Sequence, residues 1–242
     1  MLSPPTREAL FEARTHQGHL TRRWDPHFAP FIFSKAKGRH LINLDKTVEG
    51  LIRAGKAMKE LTSSGKKVLF VATKKSAKKV IQESAEMLGQ PYVTEKWLGG
   101  TLSNFRTIKK SVKKMNQIAE QMEKPAYQHL TKREQLMRLR KKKRMEIALA
   151  GIASINRLPS ALFVVDAKRE MTAIKDARAQ SILTFGLVDS NSNPDLLDYP
   201  IPANDDATSS IVLLLEYLKE KIKEGQEIWQ GQLKKSSHPI AY

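Results

Sequence analysis

Three kinds of residue in this 242-residue chain carry side chains capable of chemistry: dense basic runs, carboxylates that follow apolar runs, and closely spaced histidines. The basic runs are KKSVKK at 109–114 and RLRKKKR at 138–144. Few acids stand near enough to pair with them at helical spacing. A charge run alone also describes an ordinary solvated face, but unpaired, mutually repelling charges on a helix point to an anionic partner. Lys109, Lys110, Lys113, Lys114, Arg138, Arg140, Lys141, Lys142 and Lys143 are therefore candidate counter-charges for phosphates.

Asp166 and Asp189 each follow a strongly apolar run. Catalytic carboxylates stand there, and so do helix caps and turn formers, which is the reading favoured for both. Asn204-Asp205-Asp206 reads as a helix start. After the apolar run Val68–Val71 comes Ala72-Thr73-Lys74-Lys75-Ser76, with no glycine where a dinucleotide fold needs backbone to approach a pyrophosphate. Lys74 and Lys75 could still hold a phosphate with the help of a helix N-terminus, and an RNA backbone is the preferred source of it. The rival is an enzyme acting on a phosphorylated small molecule through Thr73, Lys74 and Asp166. No Gly-x-Ser-x-Gly elbow marks a nucleophile. His16 and His19 could share a metal with His27 or His40, but without cysteine and with arginine neighbours no metal is expected, and no cofactor either.

A denser signal lies in Lys96-Trp97-Leu98-Gly99-Gly100-Thr101-Leu102-Ser103-Asn104-Phe105-Arg106. Two glycines in a row permit close approach of a partner, and Ser103 or Asn104 is placed to cap the basic helix that follows. A plain turn into a helix accounts for the same residues. Near the N-terminus, His19, Arg22, Arg23 and Trp24 interleave bases with an aromatic, which suits RNA backbone contact and base stacking.

The elements that must position these groups follow from composition and pattern. Lys and Arg number 42 against 25 Asp and Glu, a formal charge of +17 with a pI near 10.0, which implies nucleic acid or an anionic membrane surface as partner. With 40% apolar residues the chain can build a sizeable core. Cysteine is absent, which suits a reducing compartment. No apolar run approaches the roughly 18 residues that span a bilayer, and residues 1–20 lack the apolar centre of a signal peptide. Residues 103–146 alone hold 14 basic and 4 acidic side chains, whereas 147–242 hold 10 and 12.

Short β-branched or aromatic runs at Val68–Val71, Ala161–Val165, Ile182–Val188 and around Tyr199–Ile201, with a weaker one at Tyr92-Val93, alternate with helical patterns near 46–62, 76–88, 169–180 and 207–224. This alternation predicts a doubly wound α/β core with a mostly parallel sheet and helices on both faces. It is interrupted from Leu102 to Gly151 by two helical stretches around Pro125. In the first, Phe105, Ile108, Val112, Met115, Ala119 and Met122 recur at coiled-coil spacing; in the second, Leu130, Met137 and Leu139 are the apolar candidates. About 20 residues per helix make an arm roughly 30 Å long. The expected organisation is an N-terminal segment 1–45 packing on the core with a β-hairpin around 35–38, a core of 46–101 and 152–224, a projecting basic hairpin 102–151, and a polar tail 225–242. Two ordinary core helices are the alternative for the hairpin.

The motifs HQGHLTRRWDPHFAPFIF, GRHLINLDKT, VLFVATKKSA, YVTEKWLGGTLSNFR, RLPSALFVVDAKRE, GLVDSNSNPDLLDYPIPANDDA and SSIVLLL, in order over about residues 12–220, resemble the bacterial-type small-subunit ribosomal protein S-two family. The resemblance implies a flavodoxin-like fold with a protruding helical hairpin and a non-enzymatic role in the small ribosomal subunit of the cytoplasm or an organellar matrix. It implies binding of ribosomal RNA and neighbouring ribosomal proteins, and help in recruiting ribosomal protein S-one for messenger binding, without a membrane or small-molecule substrate. Carried over by motif as RNA-binding are His19, Arg22, Arg23, Trp24, Lys74, Lys75, Lys96, Trp97, Gly99, Gly100, Thr101, Asn104 and Arg106. The chain departs from the usual pattern at Gln17, where the family has an aromatic.

Overall fold

The computed structural model describes residues 3–127 and 129–236. A short helix α1 (Arg7–Glu12), begun by the Thr6 hydroxyl accepting from the Ala9 amide, precedes three strands, β1 (Gln17–Leu20), β2 (Ile32–Ala36) and β3 (Arg39–Ile42). These form an antiparallel sheet in the order β1-β3-β2. The β2–β3 hairpin turns at Lys37 and Gly38, both with positive φ, as a two-residue hairpin turn requires. Neither α1 nor β1 was expected from sequence. Leu10 of α1 is fully buried in the main core, which anchors the segment.

Helix α2 (Leu44–Ser63) leads into the α/β body: β4 (Val68–Val71), α3 (Lys75–Met87), β5 (Tyr92–Val93), then α4 (Phe105–Glu123), α5 (Lys132–Leu149), β6 (Ala161–Val165), α6 (Met171–Ala179), β7 (Leu183–Val188), β8 (Tyr199–Pro202) and α7 (Thr208–Ser236). Five strands run parallel in the order β5-β4-β6-β7-β8, with β4 in register against β6 from Val68↔Ala161 to Val71↔Val164. This is the doubly wound, flavodoxin-like arrangement. Every residue of β4 and β6 is buried, as befits strands covered on both faces.

Successive side chains go to opposite faces. Val68, Phe70, Ala161, Phe163 and Val165 join a core with α2, α3 and α7, and Leu69, Val71, Leu162 and Val164 join another with α6 and the base of α4. Edge strand β8 carries Pro200 and Pro202, tolerated because no further strand needs their missing amides.

Two expectations need correction. The coiled-coil seam is one-sided: Ile108, Val112, Met115 and Ile118 of α4 are buried, but Leu149 is the one buried residue of α5, and Met137 and Leu139 are exposed. Ile108, Val112 and Met115 belong to the second core, so the base of α4 is held by the body. Bases occupy the α5 positions where a reciprocal seam would need apolar side chains. The tail expected from 225 is also helical as far as Ser236, because α7 packs along α2 and Trp229 lies over Gly65 beyond the end of α2. Residues 237–242 of that tail lie outside the described residues.

Candidate nucleic-acid interface

On α4 and α5 the basic side chains are presented outward. Helix α5 opens with a capping box, the Thr131 hydroxyl accepting from the Glu134 amide while Glu134 accepts from Thr131. Arg106, Lys110, Lys113, Lys114, Arg138, Arg140, Lys141 and Lys143 are exposed and make no ion pair among the described residues. Lys114, Arg138 and Lys141 come together from the two helices around a groove of about 250 Å³ with Gln117, Ile118 and Gln121. Two of the expected counter-charges are otherwise engaged. Lys109 donates to the Ile155 carbonyl and to Asn156 Oδ1, both at 2.8 Å, tying α4 to the segment before β6, and Lys142 lies 3.5 Å from Glu146.

The glycine motif forms the turn into α4. Gly100 has φ +81°, a conformation that suits glycine, and a Cβ at Gly99 would meet no other atom within 4 Å. Lys96 is exposed and unpaired among the described residues. Trp97 and Thr101 are buried, Trp97 packing in the second core and Thr101 donating to the Leu98 carbonyl at 2.6 Å. Asn104 stands at the helix start without a side-chain capping bond; Asp176 of α6 instead accepts from the Leu102 and Ser103 amides. At the N-terminal sheet Arg22 and Arg23 are exposed and unpaired among the described residues, and Trp24 is partly covered by the His40 ring.

Lys74 and His19 face inward. Lys74 Nζ lies 2.6 Å from Asp205, 2.6 Å from Asp206 and 3.6 Å from Asp166. Burial works against the ammonium, but these carboxylates, Asp205 above all, hold its pKa above the ordinary lysine value. Its ammonium is engaged by these three carboxylates, whereas its neighbour Lys75 is exposed and unpaired among the described residues. His19 Nδ1 stands 2.9 Å from Asp189 and Nε2 3.4 Å from Asp206, and its amide donates to Ser190 Oγ at 2.8 Å. The Asp189 carboxylate beside it raises its pKa. Gly18 makes this approach possible, since a Cβ there would come 2.8 Å from Ser190 Oγ and 2.9 Å from the His40 carbonyl. Asp205, fully buried, is pushed up to about 7 by burial and by Asp189 and Asp166. His19, Asp189, Asp205 and Asp206 each offer a ligand atom within 4.8 Å of the others, a nitrogen and oxygen set that could hold a divalent cation. His16, grouped with His19 in the sequence reading, instead stacks on Phe11.

The sequence profile of the family described as Ribosomal protein S2 matches residues 10–225. The chain belongs to the ribosomal protein S2 family. It is 48% identical over 215 residues to a small ribosomal subunit protein uS2 of Cytophaga hutchinsonii, covering 89% of this chain and 85% of the relative. The like-named protein of Chlorobaculum parvum is 46% identical over 225 residues, 93% of this chain and 90% of the relative. That of Amoebophilus asiaticus is 45% identical, covering 93% and 72%. The S2 family is one of structural proteins and not of enzymes. No helix among the described residues is long and apolar enough to cross a membrane.

In this S2-family chain the sequence reading missed the charge cluster, although all its members stood in view. Asp166 and Asn204 form turns ahead of α6 and α7, Asp166 accepting from the Arg169 amide at 3.0 Å and Asn204 from the Asp206 and Ala207 amides. The expected turn roles therefore hold alongside the electrostatic ones, while the cap position of α6 is Glu170. The available signal was that Asp166, Asp189 and Asp205 all follow parallel strands, whose carboxyl ends converge in a doubly wound sheet.

Proposed function

We propose that the chain is a structural constituent of the small ribosomal subunit in the bacterial-type cytoplasm, where it binds ribosomal RNA and neighbouring ribosomal proteins and supports subunit assembly. The observation that carries this reading is the row of unpaired cations on α4 and α5, converging at Lys114, Arg138 and Lys141. A surface that repels itself is stabilised by a polyanion, and bound counter-ions released on binding supply the driving force. Arg22, Arg23, Lys75, Lys96, Arg106 and the open backbone at Gly99 extend the same interface, together with the exposed part of Trp24, whose ring is flanked by His40 and Lys35. Contact with ribosomal protein S-one and help in messenger recruitment belong to this reading as its finer part.

The relatives' shared name, small ribosomal subunit protein, supports it. Sucrose-gradient sedimentation of a cell lysate is the test: the chain travels with small-subunit particles, and a chain found wholly in the free fraction ends the proposal. With six phosphate contacts on duplex RNA, log affinity falls against log salt with a slope of about −5.

A further inference from the structure

The order β5-β4-β6-β7-β8 places a switch point between β4 and β6, because the chain leaves β4 toward β5 on one side and reaches β6 on the other. Loops after such strands part, and the opening between them is where doubly wound sheets hold ligands. Here the opening is a crevice of about 310 Å³ walled by Thr73, Glu95, Lys96, Trp97, Arg169, Glu170 and Thr172, and the Glu95 carboxylate is paired with Lys78. Lys74, the lysine that sequence put in this place, is withdrawn into its ion pairs.

Hydrogen bonds fix part of the crevice and leave part unspent. The Thr73 amide and hydroxyl donate to Glu170 Oε1 at 2.8 and 2.6 Å, and Arg169 Nε donates to Thr73 Oγ1 at 2.9 Å. Glu170 Oε2, the terminal nitrogens of Arg169 and Lys96 Nζ have no bond or ion pair among the described residues. Helix α6 begins at the same place, with Glu170 at its cap position making no side-chain bond to it. Trp97 lies beneath, buried, its Nε1 without a partner among the described residues.

We infer that this crevice is a subsite for one nucleotide unit, its phosphate held by Lys96, Arg169 and the start of α6 and its ribose hydroxyl donating to Glu170 Oε2. Two unpaired cations beside a helix N-terminus suit a phosphate. A carboxyl oxygen aimed beside them suits a donor on the same ligand, and ribose supplies one within a few ångströms of its phosphate. The same chemistry comes from an RNA chain or a free nucleotide. In the RNA-borne form the inference rests on the ribosomal reading above.

Calorimetric titration of the purified full-length protein tests it, using adenosine 5′-monophosphate, its 2′-deoxy counterpart and a single-stranded RNA tetramer, with an RNA duplex titrated in parallel as a ligand for the α4–α5 groove. The ribonucleotide saturates and binds about five- to tenfold more tightly than the deoxy form, as expected for a hydrogen bond to a carboxylate. Lys96→Ala weakens it about tenfold. Glu170→Gln, whose side-chain oxygen can still accept both Thr73 bonds, removes the ribose preference without lowering the melting temperature appreciably. A tetramer that binds tighter than the monophosphate assigns the site to RNA, and the reverse assigns it to free nucleotide. Absence of saturation, equal binding of ribo and deoxy forms, or an unchanged Lys96→Ala variant overturns the inference. If the duplex still binds in that case, the ribosomal reading survives; if the duplex fails as well, both fall.

Discussion

Lysines of the α4–α5 hairpin and the lysine at the end of β4 share a side chain and have opposite uses. Lys74 sits among Asp166, Asp205 and Asp206 and is 14% exposed. Lys114 and Lys141 face a groove beside Arg138 with no acid paired to them among the described residues. The first kind of cation holds the protein's own loops together, and the second is left over for something else. Net charge alone does not separate them; what separates them is whether the fold brings carboxylates within reach.

The comparison breaks most sharply at Lys74. Lys74→Met leaves Asp205 and its neighbours without their counter-charge, and the expected loss is about 3 kcal/mol of unfolding free energy in a denaturant titration, with RNA affinity at constant salt unchanged. A stable variant that binds RNA poorly would reverse the assignment. Next comes Gly18→Ala, which drives a methyl group toward Ser190 Oγ and the His40 carbonyl and loosens His19 from Asp189. A cost of about 2 kcal/mol is expected, again without effect on the salt dependence of RNA binding.

Glu224 sharpens the picture, because it bridges Lys59 of α2 and Lys221 within α7 at 2.7 Å each. Hydrogen bonds from Lys221 and Lys59 lower its pKa to about 2. A carboxylate with a depressed folded-state pKa stabilises above its unfolded value of 4.5 and loses that contribution as pH falls toward 2. Glu224→Gln therefore costs about 1 kcal/mol at pH 7, discounted for solvent screening, and the gap between variant and wild type in thermal unfolding narrows between pH 4.5 and 2. Smallest in stability is Lys114→Gln, within about 0.5 kcal/mol of wild type by melting. Its signature lies in the RNA titration, where the slope of log affinity against log salt becomes shallower by about 0.9. An unchanged slope removes Lys114 from the interface.

Much of the fold was legible because the central strands are covered on both faces. Val68–Val71 and Ala161–Val165 read as unbroken apolar runs, and runs that short, rich in β-branched and aromatic side chains and bounded by polar residues, suit a buried strand better than a helix. Strand β1 was hidden: Gln17, Gly18 and His19 have no strand pattern, and the segment is extended because β3 is there to pair with it. Side-chain fate was harder still. Lys74 and Lys75 are adjacent and alike, yet one is engaged by Asp205, 131 residues away, and the other is exposed. Trp24 and Trp97 were both carried over by motif as RNA-binding, and Trp97 packs in the second core while Trp24 is exposed. Helix periodicity separated the buried face of α4 from its bases, since amphipathic spacing is local information, but α5 has no such stripe; ion pairs between distant loops are not local either.

Gly151 approaches β5 so closely that a Cβ there would lie 2.2 Å from the Tyr92 carbonyl. The polypeptide thus leaves β5, travels out through α4 and α5, and returns to the strand it left. Neighbouring strands β4 and β6 are consequently brought together across a long stretch of chain whose ends are already fastened, so the entropy of closing that loop is largely met by a locally formed helix pair. Such an excursion can lengthen or shorten over evolutionary time while the sheet keeps its register.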